Sequence, residues 1–185
     1  MIRAAAVFLM VFIAIPLHGI SFRTSGGFGL QTVDLESEQT QQRCASYSLG
    51  IDIPLTDALA VGTAWTYYQA GNAPLSGNTV LRGYSAQSLQ LFIDHTLLRH
   101  QSLQMGYELF ADAWYARYAN TQRVFFFLAG GAAPYGEVSL NPHDTVFLRL
   151  SAPVRYARRR DVDRQISAAA EITLRMQVRR PHADP

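Results

Sequence analysis

The chain has 185 residues, enough for one domain with a sizeable core or for one small barrel. Its formal net charge of +2 is too small to argue for a nucleic-acid partner, and no basic amphipathic stretch points to a helix lying on a lipid surface. All sixteen basic residues are arginine and only 16% of the chain is charged, which counts against a large wetted surface. The single cysteine, Cys44, excludes an internal disulfide.

Residues 1–19 read as a secretory signal. Arg3 precedes the apolar run AAAVFLMVFIAIPL, residues 4 to 17, whose fourteen residues suit a signal core. They fall short of the ~20 residues that a membrane-spanning helix needs. Leu17 and Gly19 stand where small residues are preferred, which leaves cleavage within residues 17–22. Export is the expectation.

From residue 20 to residue 179 polarity alternates with a period of two, the signature of strands with one apolar and one polar face. In the first segment Phe22, Thr24, Gly26, Phe28, Leu30 and Thr32 oppose Arg23, Ser25, Gly27, Gly29 and Gln31. The polar stretch DLESEQTQQRC reads as a loop. Next, Tyr47, Leu49, Ile51 and Ile53 alternate with Ser46, Ser48, Gly50 and Asp52, and PLTD at 54–57 reads as a tight turn. Leu59 to Tyr68 forms a third segment, followed by the loop AGNAPLSGN. A fourth runs from about Val80 to Asp94, with HTLLRHQ as a link to a fifth around Leu103 to Ala116. The sixth, VFFFLAGGAAPYGEVSL, is the least regular, and Gly130, Gly131 and Pro134 predict a bulge or bend. After the turn NPHD, a seventh segment spans Val146 to Tyr156, the charged loop ARRRDVDR follows, and the eighth is QISAAAEITLRMQV. Residues 180–185 form a short tail.

Alternation alone also fits a soluble sandwich or a lipocalin-like lipid-binding barrel. Three features favour the inverted arrangement, with the apolar face outward to lipid. That face carries no charge, as expected where an Arg near mid-bilayer costs roughly 2 to 4 kcal/mol. The opposite face mixes Arg23, Asp52, Asp94, Glu108, Asp112, Arg149, Arg155, Glu171 and Arg175 with Phe92, Phe110 and Trp114, a mixture suited to a crowded lumen. Outward aromatics Tyr47, Trp65, Tyr67, Tyr115, Phe126 and Tyr156 gather at the strand ends beside the polar loops, as an interfacial girdle does. Phe22 is their one clear counterpart at the other end.

A spanning sheet must close, because an open edge leaves unpaired backbone groups in hydrocarbon. The expected fold is therefore a closed, antiparallel, up-and-down eight-stranded transmembrane β-barrel, its bore filled by side chains. Strand number, inverted polarity and girdle make residues 20–179 resemble the small eight-stranded bacterial outer-membrane proteins, the group containing the OmpA transmembrane domain, OmpX and OmpW. The absence of a periplasmic domain and a lumen mixing aromatics with small residues lean the resemblance toward OmpW. It implies outer-membrane lipid and the barrel-assembly machinery as partners, periplasmic turns, and extracellular loops at 33–44, 70–79, 118–123 and 157–164. Many such proteins end on an aromatic residue; this chain continues past Val178 with RRPHADP, so a recognition signal would be internal, at Leu174-x-Met176-x-Val178.

Catalysis needs clustered groups within hydrogen-bond reach. The histidines fall in the signal, turns or tail, with no metal-ligand spacing on a strand, so neither a catalytic residue, a metal nor a cofactor is expected. Glu108, Asp112, Arg149, Arg155, Glu171 and Arg175 are the candidate lumen ion-pair network. Glu171 and Arg175 lie roughly 13 Å apart along their strand, so each pairs with other strands. The network reads as a rigidifying plug, whose disruption strands a buried charge at about 3 to 5 kcal/mol, or as the gate of a narrow channel. Arg158, Arg159 and Arg160 are candidates for contact with surface anions. The functional expectation is a non-enzymatic conduit for small, including hydrophobic, solutes or a structural membrane element. A surface adhesin and a soluble lipid-binding barrel are the alternatives.

Overall fold

A computed structural model describes residues 19–35, 38–74, 80–81, 83–119, 124–143, 145–158 and 164–178. Eight long strands follow one another antiparallel: β1 (Ile20–Leu35), β2 (Glu38–Pro54), β3 (Leu59–Ala70), β4 (Tyr84–His100), β5 (Leu103–Tyr118), β6 (Val124–Ser139), β7 (Val146–Ser151 and Val154–Ala157) and β8 (Arg164–Val178). A two-residue ladder, Ala73–Pro74 against Val80–Leu81, decorates the β3–β4 connection. Each strand pairs with the next, and β1 pairs with β8 over fifteen positions from Ile20↔Val178 to Asp34↔Arg164, which closes the ring.

The register fixes the shape. Partners of Arg23 run through Gly50, Ala64, Gln90, Asp112, Ala129, Ala157 and Gln165, and return to β1 at Val33, ten residues from the start. With about 3.3 Å per residue and about 4.8 Å between strands, that stagger tilts the strands about 40° and leaves a backbone cylinder about 16 Å across. Such a bore has room for side chains and little else.

Polarity is inside-out. Phe28, Leu91, Phe126, Leu128 and Leu150 are 61–79% exposed on the outer face, whereas Asp52, Asp112, Glu137 and Arg149 are at most 4% exposed. The soluble lipid-binding alternative is thereby overturned, since it requires the apolar side chains inside.

Turns follow local chemistry. The Thr56 hydroxyl accepts from the N–H groups of Ala58 and Leu59 at 3.2 and 3.0 Å, closing the β2–β3 turn. Asn141 Oδ1 accepts from the N–H groups of Thr145 and Val146 at 2.9 and 3.0 Å in the β6–β7 turn.

Three segment boundaries differ from the sequence reading. The polar stretch at 33–44 is mostly strand: β1 and β2 continue through it to Leu35 and from Glu38, because backbone pairing above the apolar band does not require apolar side chains. HTLLRHQ is strand as far as His100, with β4 starting at Tyr84. A register shift between Thr96 and Leu98 absorbs the adjacent Leu97–Leu98 pair that broke the alternation, and the turn shrinks to Gln101, at φ 50°, and Ser102. Third, β6 has no bulge. Its register with β5 is unbroken from Val124 to Val138. The interruption lies opposite, at Ala152–Pro153 of β7, where Pro153 has no N–H to donate. The ladder on both sides keeps its register across that gap, held by Ala152 N–H to Pro134 O and Ala169 N–H to Pro153 O, each 3.1 Å. Gly131 serves a close approach: a Cβ there would lie 2.6 Å from the Phe110 ring and 2.1 Å from Val154 O.

Candidate functional site: a charged and aromatic bore

Inward side chains of all eight strands fill the bore in layers. In the half nearer the turns, Arg149 of β7 donates to Glu137 at 2.8 Å and to Asp94 at 2.5 Å, with Glu108 3.7 Å away. Arg23 of β1 donates to Glu108 at 2.5 Å. Arg175 of β8 reaches past its neighbouring strands to Glu137 on β6 and to Asp52 on β2, the latter at 3.5 Å. Tyr135 adds a hydrogen bond to Asp94 at 2.6 Å. Above this layer, Arg155 lies 3.4 Å from both Asp112 and Glu171, and Ser46 donates to Glu171 at 3.2 Å.

Each of these four guanidinium groups also lies over an aromatic ring. Arg23 sits 3.4 Å from the centroid of Phe92, Arg149 3.7 Å from Tyr135, Arg175 4.6 Å from Phe147 and Arg155 4.9 Å from Phe110. The planar, weakly hydrated guanidinium suits that double use: its edge donates to carboxylates while its face stacks on a ring. Inward Phe and charge on one face of a strand are therefore parts of one packing scheme.

Toward the loops the filling turns aromatic. Trp114 stacks on Phe127 with centroids 6.0 Å apart, and Tyr68 meets Trp114 and Tyr84 edge-on at 5.6 and 6.0 Å. The Tyr68 hydroxyl donates to Gln31 at 3.0 Å. Cys44 is buried in this layer.

All six candidate network residues, Glu108, Asp112, Arg149, Arg155, Glu171 and Arg175, lie in the bore and in ion pairs. Glu171 and Arg175 do not pair with each other. Four further participants were outside the candidate set. Arg23, Asp52 and Asp94 carry the period-two signal for the inward face; Glu137 carries little, because β6 is apolar on both faces until its last residues. Yet Glu137 joins Arg149 to Arg175 and is 1% exposed.

Tyr47, Trp65, Tyr67, Tyr115, Phe126 and Tyr156 all point outward and stay exposed, with Tyr115 and Phe126 in edge contact at 5.1 Å. At the turn end, His95 and Tyr107 pair on the outer surface, ring to ring at 5.3 Å with a 3.1 Å hydrogen bond, and join the apolar ring of Phe22 there. His95 and His100 are thus strand residues, and no histidine lines the bore cavities among the described residues. Arg158 is exposed at the end of β7; Arg159 and Arg160 lie outside the described residues, as do the expected signal through His18 and the expected tail.

No protein-family model matches the sequence, and no curated protein does. Solved structures do match its fold. Neisserial surface protein A superposes with a TM-score of 0.62 at 12% identity, covering 85% of this chain and 97% of that one. The outer membrane protein OprG of Pseudomonas aeruginosa gives 0.53 at 12% identity, over 86% and 96% of the two chains. The attachment invasion locus protein Ail of Yersinia pestis, in complex with the heparin analogue sucrose octasulfate, gives 0.52 at 15% identity, over 86% and 99%. Closed ring, inverted polarity and these likenesses together make the fold that of the small eight-stranded outer-membrane β-barrels.

Proposed function

We propose that this chain is a non-enzymatic integral barrel of a bacterial outer membrane, whose resting bore is closed to solutes and whose role is that of a structural membrane element. The observation that carries this reading is the filling of the bore. Between Arg149 and Arg155, within the charged part of the bore, the central cavity measures about 30 Å³, room for about one or two water molecules. A sugar or an amino acid does not fit.

Residues 1–19 serve as the export signal in this reading, and Leu174, Met176 and Val178 as the outward residues of the last strand offered to the assembly machinery. Arg158 is exposed just past the end of β7, and in this reading it and the Arg159 and Arg160 that follow it in sequence take phosphates of the outer-leaflet lipid as counter-ions. The experiment has two parts. Fractionation places the mature protein in the outer membrane, with a gel band that shifts on heating as the closed barrel unfolds. Proteoliposomes carrying it do not swell in iso-osmotic sugars. Recovery from the aqueous periplasmic fraction overturns the location, and swelling overturns the closed bore.

A further inference from the structure

The outward face is not equally tall around the ring. Strands tilted about 40° gain about 2.5 Å of height per residue. On β2 the outward side chains are apolar or aromatic from Ala45 to Ile53, roughly 20 Å, and Arg43 is exposed beyond them at the loop end. On β3 they run from Leu59 to Tyr67, again roughly 20 Å, and the exposed Gln69 follows. Thr63, midway, satisfies its hydroxyl on the Gln90 carbonyl at 2.9 Å. On β4 the exposed Gln87 stands next beyond Leu89 at the loop end. The other wall differs. β5 is apolar or aromatic outward from Leu103 to Tyr115, roughly 30 Å, and β6 from Val124 to Val138, roughly 35 Å. The aromatic girdle follows the same slope. Tyr47, Tyr67, Gln87, Tyr115 and Phe126 are one row of cross-strand partners. A row at right angles to tilted strands climbs about 3 Å per strand, toward the loop end, so Phe126 stands about 12 Å above Tyr47.

We infer that the wall of β2 and β3 is an interaction surface for thinned bilayer, and that the barrel holds the lipid beside it thinner than the lipid beside β5 and β6. This rests on the reading above that the barrel spans a membrane, and goes beyond it in naming the state of the lipid that each wall takes. The apolar band of a spanning barrel is ordinarily about 25 Å tall, which lies between the two walls. Tilting the barrel does not reconcile them, because a flat slab cuts a tilted cylinder at equal heights on opposite sides. Lipid meets unequal apolar faces by thinning beside the short one and thickening beside the tall one. β2 and β6 are diametrically opposite in the ring, so the two conditions fall on opposite sides. Arg43 and Gln69 draw headgroups and water down to the level at which β6 presents Leu128 and Phe126. Acyl chains beside β2 and β3 are then shortened by disorder.

The test compares two pairs of positions equally spaced along opposite strands. Ala45→Cys and Ile53→Cys on β2, and Leu128→Cys and Gly136→Cys on β6, are each labelled with a small nitrobenzoxadiazole fluorophore after folding. Cys44 is buried and Gly136 has open space for a side chain, so the native cysteine stays in place and the labels fit. The barrels are held in phosphatidylcholine vesicles containing lipid with a nitroxide at the headgroup or at the chain end. Both β2 labels are expected to be quenched more by the headgroup nitroxide, and both β6 labels more by the chain nitroxide. Equal ratios on the two walls, or the reverse order, overturn the inference. A second measurement makes the short wall taller, with Arg43→Leu, Gln69→Leu and Gln87→Leu together. The Ala45→Cys label is then expected to shift toward the chain profile, and a label that does not move overturns the inference as well. If that variant fails to fold, the four single labels decide alone. Labels that no lipid-borne nitroxide quenches show instead that the chain does not span a bilayer, and the reading above falls with them.

Discussion

Arg23 on β1 and Glu108 on β5 meet at 2.5 Å, although 85 residues and half the circumference of the ring separate them. The pair crosses the bore, so it braces strands that share no backbone hydrogen bond. Both side chains are about nine-tenths buried, and the Phe92 ring lies under the guanidinium. Replacing Glu108 with Gln should cost about 3 kcal/mol, because Arg23 keeps its charge in a site with little water. Arg23→Gln together with Glu108→Gln should cost less than the sum of the two singles. Urea titration of the barrel in lipid vesicles, analysed as a double-mutant cycle, gives that coupling directly.

Two glycines should respond differently to alanine. A Cβ on Gly62 would lie 2.2 Å from Phe92 Cζ and 2.3 Å from Ile51 O, whereas one on Gly136 would meet nothing within 4 Å. Gly62→Ala should displace the Phe92 ring, and with it the Arg23 stack, at about 1 to 3 kcal/mol. Gly136→Ala should leave the unfolding midpoint unchanged. A common effect at both sites would show that glycine acts here through chain flexibility instead.

Charge on the outer surface should be penalised by depth. Leu91, 61% exposed in the middle of the outer face, should lose roughly 2 to 4 kcal/mol on change to Arg. Leu103, at the turn end of β5, should lose only about 0 to 1 kcal/mol, because an arginine there reaches the headgroups. Vesicle-based unfolding of the two variants separates a lipid-facing surface from a watery one.

Alternate positions of β8 should differ in the solvent that reaches them. Cysteines placed at Ile172 and Met176, 59% and 48% exposed on the outer face, should react with reagents dissolved in the lipid phase. A cysteine at Thr173, buried in the bore, should not. Uniform labelling along the strand would end the inside-out assignment.

The period of two made the side of the sheet legible where polarity alternates cleanly, as in Phe22–Thr32, Tyr47–Ile53, Leu59–Tyr68, Ser88–Asp94, Leu103–Ala116, Val146–Tyr156 and Gln165–Val178. Charge confined to one face, with rings beside it, further indicated a crowded bore. Three things were not legible. Glu137 follows a run in which Phe125, Phe126, Phe127 and Leu128 give both faces the same polarity, so no contrast marked it as inward. Partners across the bore depend on the stagger of the closed ring, which relates Arg23 to Glu108 and Arg175 to Asp52 without any sequence spacing. The pair Leu97–Leu98 imitated a link because the extra residue at the register shift breaks the alternation, although pairing with β5 resumes at Leu98.

The seam between β1 and β8 has a consequence for biogenesis. The first strand finds its second neighbour only when the last one has been made and delivered, so every intermediate carries two raw margins. No cylinder exists until β8 has been made, and a chain clipped within β8 should never mature into a partial version. Guardianship of the unfolded polypeptide and late sealing at a membrane are therefore written into the order of its strands.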